Sequence, residues 1–276
     1  MRPIRHAYRQ FSTSAYRAMK IVPVPVREDN YAYLLIDEPS NKATAVDVFD
    51  VKKVADKAKE LGVEIVAALT THHHLDHSGG NKEFASRFPN APIYGGSDKV
   101  PALTNLVKDK DEFTLGENIK VKCMATPCHT QDSICYHITD EVNKGHPGGV
   151  LTGDTLFIAG CGRFFEGTGE EMIAALSYLG TLPDDTIVYN GHEYTAGSAA
   201  FGKHVDPGNA GLKRLAGILA SNKQLTGLTT IGDEKEWNVF MRLDTEAVRK
   251  ATGATSATPP SKVMDALREA KNNYRG

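Results

Sequence analysis

The densest chemistry in the sequence lies in Thr70-Thr71-His72-His73-His74-Leu75-Asp76-His77-Ser78-Gly79-Gly80, where four histidines and an aspartate fall within six residues. The stretch follows directly on the apolar run from Val63 to Leu69, which reads as a strand. On an extended segment alternate side chains share a face, so His72 and His74 point together while His73 points away. The chain must then turn for Asp76 and His77 to face the same pocket. Unliganded histidines gain nothing from crowding and repel one another once protonated, so the pattern points to a metal site rather than a solvated loop.

Three later segments each place a ligand-type residue directly after an apolar run: Thr126-Pro127-Cys128-His129-Thr130, Leu151-Thr152-Gly153-Asp154-Thr155 and Asn190-Gly191-His192-Glu193-Tyr194. Taken singly, each reads as a turn residue. With the cluster they complete five imidazoles and two carboxylates. A single zinc needs only three or four protein ligands, so the surplus implies two divalent ions of borderline hardness, such as zinc, iron or manganese. A carboxylate can bridge, which assigns Asp154 as the shared ligand. His72, His74 and His129 then hold one ion, and Asp76, His77 and His192 the other. Two ions roughly 3.5 to 4 Å apart lower the pKa of a shared water towards about 7, and the chemistry implied is hydrolysis. No protein nucleophile is required, so Cys128 and Cys161 read as packed thiols. His6, His73, His137, His146 and His204 lack a partner motif.

The elements that must deliver these residues alternate short apolar runs with turn signals. Strands are predicted at 31–36, 43–48, 63–69, 92–94, 119–125, 134–138, 150–157 and 186–190. Between them lie a helix carrying Val51, Val54, Ala55, Ala58 and Leu61 and stopped by Gly62, a short helix around Phe84, and a helix at 170–179 with Met172, Ile173, Leu176 and Leu179 on one face. Two similar halves of this kind predict an α/β fold of two packed sheets with helices outside, an αββα sandwich spanning 19–194. From 195 to 276 the strand signal fades. Helices are predicted at 196–203, 212–224 and 261–272, the last after Pro259-Pro260, giving a small helical C-terminal domain. Residues 229–244 read as a loop that reaches back to the first domain.

With 276 residues, 41% hydrophobic and 24% charged, the composition is that of an ordinary soluble globular protein. A formal net charge of -2 excludes a broad nucleic-acid footprint. No uninterrupted apolar run approaches the roughly 18 residues of a membrane span, so no membrane partner is expected. Cys123, Cys128, Cys135 and Cys161 sit at no zinc-ribbon spacing and read as reduced, buried thiols, which favours a reducing compartment. Residues 1–18 carry Arg2, Arg5, Arg9 and Arg17 with Ser12 and Ser14, and the first acidic residue is Glu28. That is the composition of a mitochondrial presequence, directing the protein to the matrix. Met19 is a second start that would yield a cytosolic product.

The segments Thr71-His72-His73-His74-Leu75-Asp76-His77-Ser78-Gly79-Gly80, Thr126-Pro127-Cys128-His129-Thr130, Thr152-Gly153-Asp154-Thr155-Leu156-Phe157-Ile158-Ala159-Gly160-Cys161-Gly162 and Gly191-His192-Glu193-Tyr194-Thr195 together resemble glyoxalase II, the hydroxyacylglutathione hydrolases of the metallo-β-lactamase superfamily. The resemblance runs from about Met19 to the C-terminal helices. It implies the metallo-β-lactamase fold, a dinuclear site at all seven positions assigned above, and zinc as the leading metal. It also implies that the chain is a monomer and that Asp76 steers the attacking water. The implied reaction is hydrolysis of S-D-lactoylglutathione to D-lactate and glutathione, the second step of methylglyoxal detoxification. For substrate binding the resemblance implies Arg163, Phe165, Tyr194 and Arg242. Arg163 replaces the family's lysine and keeps its charge, whereas Phe165 replaces a tyrosine and lacks the phenol. Asn238-Val239-Phe240-Met241-Arg242 stands where the family has Asn-Pro-Phe-Met-Arg, implying Arg242 for the glycyl carboxylate; Thr245 replaces a lysine expected three residues later. A persulfide dioxygenase of the same superfamily would use one iron and a shorter chain. The complete second-ion set and the C-terminal helices favour the hydrolase.

Overall fold

The computed structural model describes residues 19–276; the presequence assigned to residues 1–18 lies outside them. The first sheet takes its strands in chain order: β1 Met19–Pro25, β2 Tyr31–Asp37, β3 Lys42–Val46, β4 Glu64–Leu69, β5 Ile93–Gly95 and β6 Asn105–Leu106. β1, β2 and β3 are antiparallel, and β3 to β6 run parallel. The second sheet has the order β13-β10-β9-β8-β7, built from β7 Glu112–Leu115, β8 Ile119–Ala125, β9 Ile134–Asp140, β10 Gly149–Gly153 and β13 Ile187–Asn190. A two-stranded hairpin of β11 Leu156–Phe157 and β12 Gly160–Cys161 stands apart.

Alternation along the strands explains the layering. Tyr31, Tyr33 and Leu35 of β2 pack inward with Leu69, Val121, Tyr136, Leu151 and Tyr189, filling the space between the sheets. Ala32, Leu34 and Ile36 of the same strand pack outward with Val51, Val54 and Ala58 of α1 Val51–Leu61 and with Phe84. β2 is therefore buried along its whole length, as expected for a strand covered on both faces. The side chain of Asp50 caps α1 by accepting from the Lys53 amide at 2.9 Å, and Gly62 ends it in the left-handed region at φ 68°. Two short helices, α2 Leu75–Ser78 and α3 Asn81–Arg87, follow β4. On the far side, Met172, Leu176 and Leu179 of α4 Gly169–Leu179 cover the second sheet through Met124, Cys135, Val150 and Val188. The αββα sandwich is thus present as expected.

The C-terminal helices are α5 Thr195–Val205, α6 Ala210–Ser221, α7 Ile231–Trp237, α8 Glu246–Ala251 and α9 Pro260–Asn273. Phe201, Val248, Val263, Met264 and Leu267 from this set join the α4 cluster, so these helices share a core with the sandwich. Two expectations need correction. The strand expected to run to Phe157 stops at Gly153, because the chain turns at Asp154 and Thr155 to start the hairpin. Residues 229–244 are not a loop: a capping box between Thr230 and Asp233 starts α7, and Val239–Met241 form a 3-10 turn. The segment does reach back, since the Val188 amide donates to the Thr229 carbonyl and the Asn238 side chain donates to the Gly160 carbonyl at 3.0 Å. α7 is too short to show a helical period, and between Ile231 and Trp237 it carries only glycine and charged residues, which hid it from pattern reading.

Candidate metal centre and substrate cleft

Every candidate ligand sits just beyond the carboxyl end of a strand, in the turn or the short helix that follows. β4 ends at Leu69, and Thr71 to His74 lead into α2, which carries Asp76 and His77. His129 follows β8, Asp154 follows β10 and His192 follows β13. The two sheets therefore converge on one point. His72, His74 and His129 form one group of potential ligand atoms, His72, His77 and Asp154 a second, and Asp76, His77 and His192 a third, each within 4.8 Å. Asp154 lies between the two predicted ion sites: its Oδ2 is 3.4 Å from His129 Nε2 and 3.3 Å from His192 Nε2, while Oδ1 is 3.3 Å from His77 Nε2. Glycine is needed beside it, since a methyl group at Gly191 would crowd Asp154 Oδ1 and His77 Cε1. Gly153 at φ 47° turns the backbone so that Asp154 faces inward.

Hydrogen bonds to the other ring nitrogen fix how each imidazole presents itself. His77 Nδ1 donates to Asp47 Oδ2 at 2.9 Å and His192 Nδ1 to Asp29 Oδ1 at 2.9 Å. His129 Nδ1 donates to the Arg163 carbonyl at 2.9 Å, and His72 Nδ1 donates to Thr71 Oγ1 at 3.1 Å. Thr71 in turn donates to Asp47 Oδ2 at 2.8 Å. Each of these four rings thus turns Nε2 inward, whereas His74 turns Nδ1, 3.1 Å from His129 Nε2. Such outer partners set tautomer and orientation. Asp47 and Asp29 were missed in the sequence. Asp47 ends β3 in the left-handed region at φ 52°, and a lone strand-end aspartate carries no pattern that marks it.

The electrostatics fit a cation. Burial holds the His72, His74 and His129 imidazoles below their ordinary pKa, and so neutral, as ligands must be. Burial opposes protonation of His77 and His192 as well. There Asp154 and Asp47 outweigh it at His77, and Asp154 with Asp76 pushes His192 up to about 10. Hydrogen bonding from His192 holds Asp76 well below the carboxylate range. His72 Nε2 is buried without a hydrogen-bond partner and Asp154 Oδ1 has only the His77 ring 3.3 Å away, a costly state that ions would relieve. Burial pushes the thiols of Cys128 and Cys161 up to about 12 and about 11, so neither is a nucleophile at neutral pH.

Beside the centre opens a cleft of about 610 Å³, lined by His129, Asp154, Phe157, Arg163, Phe165 and Tyr194 together with Arg268, Lys271 and Arg275. Tyr194 stacks on His192, ring centroids 4.7 Å apart and planes 7° off parallel. Phe165 is 60% exposed at the mouth, its ring 5.2 Å from that of His129.

The metallo-β-lactamase superfamily model matches residues 35–192, and the model for the hydroxyacylglutathione hydrolase C-terminus matches residues 193–274. A probable hydroxyacylglutathione hydrolase of Schizosaccharomyces pombe is 42% identical, the match covering 92% of this chain and 99% of that one. The cytoplasmic hydroxyacylglutathione hydrolase of Arabidopsis thaliana is 41% identical, over 94% of this chain and all of that one. The chain belongs to the hydroxyacylglutathione hydrolase family. A metallo-β-lactamase of Staphylococcus aureus superposes with a TM-score of 0.64 at 24% identity, covering 92% of this chain and 72% of that one, and shares the fold.

Against this family frame the expected ligands all meet at one point. Among the expected substrate contacts, Arg163, Phe165 and Tyr194 line the cleft. Arg242 does not: its Nη1 donates to Asp206 Oδ2 at 2.7 Å, an ion pair that ties the 3-10 turn to the end of α5. Besides Arg163, the cations that reach the cleft come from α9 and the residues after it. Arg268 is held by donating to the Cys161 carbonyl at 2.8 Å, and Lys271 by donating to the Gly197 carbonyl at 2.9 Å. Their spacing of three residues puts them on one helical face. That was visible in the sequence, but the family motif ending in Arg242 drew the assignment away.

Proposed function

We propose that this chain hydrolyses the thioester of S-D-lactoylglutathione, releasing D-lactate and glutathione, with a pair of zinc ions in the seven-residue centre. The observation that carries the reading is a two-ion ligand set opening on a cleft whose wall bears Arg163, Arg268, Lys271 and Arg275. Glutathione carries two carboxylates and one ammonium, and such a wall is complementary to it, each charge-assisted contact being worth about 1.5 to 3 kcal/mol.

When bound, the ions supply Lewis acidity and a water that is deprotonated near neutral pH. His72, His74 and His129 would hold one ion, Asp76, His77 and His192 the other, and Asp154 both. Asp47 and Asp29 keep His77 and His192 in the tautomer that leaves Nε2 free. Asn30 Nδ2 donates to Asp76 Oδ2 at 3.0 Å and fixes the carboxylate that steers the attack. The cleft cations hold the peptide so that its sulfur-bound carbonyl lies at the centre, a positioning effect of large weight in catalysis. The departing thiolate has a pKa near about 8.5, so no strong general acid is needed. Incubating the purified chain with S-D-lactoylglutathione and following thiol release tests the proposal; absence of turnover with two ions bound overturns it.

We further propose that residues 1–18 direct a product to the mitochondrial matrix and that a start at Met19 gives a cytosolic one. The support is the acid-free, arginine-rich composition of residues 1–18 and the methionine that directly follows it in the sequence, Met19. Finding only the long precursor and its matrix-processed form in fractionated cells would exclude the second product. Among the described residues no helix is long and apolar enough to cross a membrane.

A further inference from the structure

The bridging aspartate and the carbonyl that orients His129 lie at the two ends of one hairpin. Asp154 stands two residues before β11, and Arg163, whose carbonyl accepts from His129 Nδ1 at 2.9 Å, two residues after β12. Between them, the Cys161 carbonyl on β12 accepts from the cleft guanidinium of Arg268 at 2.8 Å. The tip of this hairpin is not in solvent. Ile158 and Ala159 are buried in a cluster with Leu212, Leu215, Leu225 and Trp237 of the C-terminal region. Ala159 sits there at φ 57°, a left-handed conformation that a residue with a side chain holds only when its surroundings enforce it. Two side chains of the α7 segment do so. Glu234 Oε2 accepts the Ala159 amide at 2.8 Å, and Asn238 Nδ2 donates to the Gly160 carbonyl at 3.0 Å and to Glu234 Oε2 at 2.9 Å.

We propose that Glu234 and Asn238 are positioning residues for the reaction: by gripping the hairpin tip they let the C-terminal domain set the bridging carboxylate, the His129 ring and Arg268 together. The kinetic part of the inference rests on the thioesterase reading above. A fully buried carboxyl adds little net stability, because desolvation opposes its hydrogen bonds; what it adds is direction. The hairpin is only two residue pairs long, and the Gly162 amide closes its base on the Thr155 carbonyl at 3.3 Å, so a shift at the tip reaches both ends. Phe240, in the 3-10 turn after α7, lies 5.3 Å from the Arg268 guanidinium and supports it from a second side.

The test compares Glu234→Ala and Asn238→Ser, which release the tip, with Val54→Ala, which opens a cavity under α1 in a separate core cluster. Each is measured for its denaturation midpoint, its zinc affinity by chelator competition, the visible spectrum of the cobalt(II)-loaded chain, and kcat and KM for S-D-lactoylglutathione. Both tip variants are expected to lose about tenfold in zinc affinity and in kcat, the lower end of what disturbing a ligand's outer partner costs. Their cobalt bands are expected to shift and their KM to rise several-fold through Arg268. Val54→Ala is expected to lower the midpoint and to leave affinity, spectrum, kcat and KM at parent values. If Glu234→Ala does not fold, Asn238→Ser decides, because serine keeps an acceptor for the Phe240 amide but does not reach the Gly160 carbonyl. Parent-like affinity, spectrum and kinetics in a folded tip variant, or equal losses in Val54→Ala, would overturn the proposal. Absence of lactoylglutathione hydrolysis by the parent protein with two ions bound would instead overturn the thioesterase reading, while affinity and spectrum would still decide the grip.

Discussion

Asp47 does three things with one carboxylate. It accepts the Thr71 amide at 2.8 Å and the Thr71 hydroxyl, so it holds the chain on which His72 begins, and it accepts from His77 Nδ1. Asparagine is nearly the same size but offers a single acceptor oxygen and an amide that cannot take the ring proton. Asp47→Asn is therefore expected to lower metal affinity at the His77 side by about 10- to 100-fold with the fold intact. Competition with a chelator, read by metal content per chain, checks it; an unchanged affinity would show that the backbone alone positions His77. At this scale the sequence was most legible where chemistry is crowded. Seven ligands stood out because four of them fall within six residues. Asp29 and Asp47 did not, because an aspartate at a turn is common and only its partner, distant along the chain, reveals its task.

Helix α9 and helix α7 do different work within the C-terminal region. On α9, Lys271 keeps its ammonium at the cleft, where burial lowers its pKa. Lys271→Ala is expected to raise KM for S-D-lactoylglutathione by about 10- to 100-fold with kcat little changed, the loss of one charge-assisted contact of about 1.5 to 3 kcal/mol. Arg242→Ala is expected to leave KM alone and to cost about 1 kcal/mol of stability through its pair with Asp206. Steady-state kinetics beside chemical denaturation separates the two. On α7, Glu234 is fully buried and accepts from the Trp237 indole at 2.9 Å, the Ala159 amide at 2.8 Å and the Asn238 amide at 2.9 Å. Burial outweighs these bonds and pushes its pKa up to about 8. The folded state then binds a proton that the unfolded chain loses above about 4.5. The contribution of Glu234 to stability is fully present below about 4.5 and falls as pH rises towards about 8, by up to about 1.4 kcal/mol per unit. Glu234→Gln is expected to flatten the profile, while its amide, facing donors, costs about 1 to 3 kcal/mol throughout. Denaturation of the metal-loaded protein from pH 5 to 9 tests this, and parallel profiles would contradict it. The long elements were legible from period and caps: α1 between Asp50 and Gly62 is the clearest. α7 and α8 were not, being short and charged over half or more of their length.

Across the whole molecule, two sheets meet at the site, each contributing strand ends that carry ligands, so the centre ties the halves of the sandwich together. Without ions, His77 and His192 keep protons among Asp47, Asp76 and Asp154. Loading is expected to displace those protons, and apparent affinity is expected to rise with pH up to the region near 10 where His192 ionises. Calorimetric titration in buffers of different ionisation enthalpy reads the release directly; heat independent of buffer would contradict it. Removal of the ions is expected to lower the melting temperature as well, since they bind only the folded chain. The most direct measurement is thiol release from S-D-lactoylglutathione by the metal-free chain as zinc is returned in known equivalents. The seven-ligand centre requires activity to climb to a plateau at the second equivalent. Full activity after one equivalent, or none after two, would contradict it.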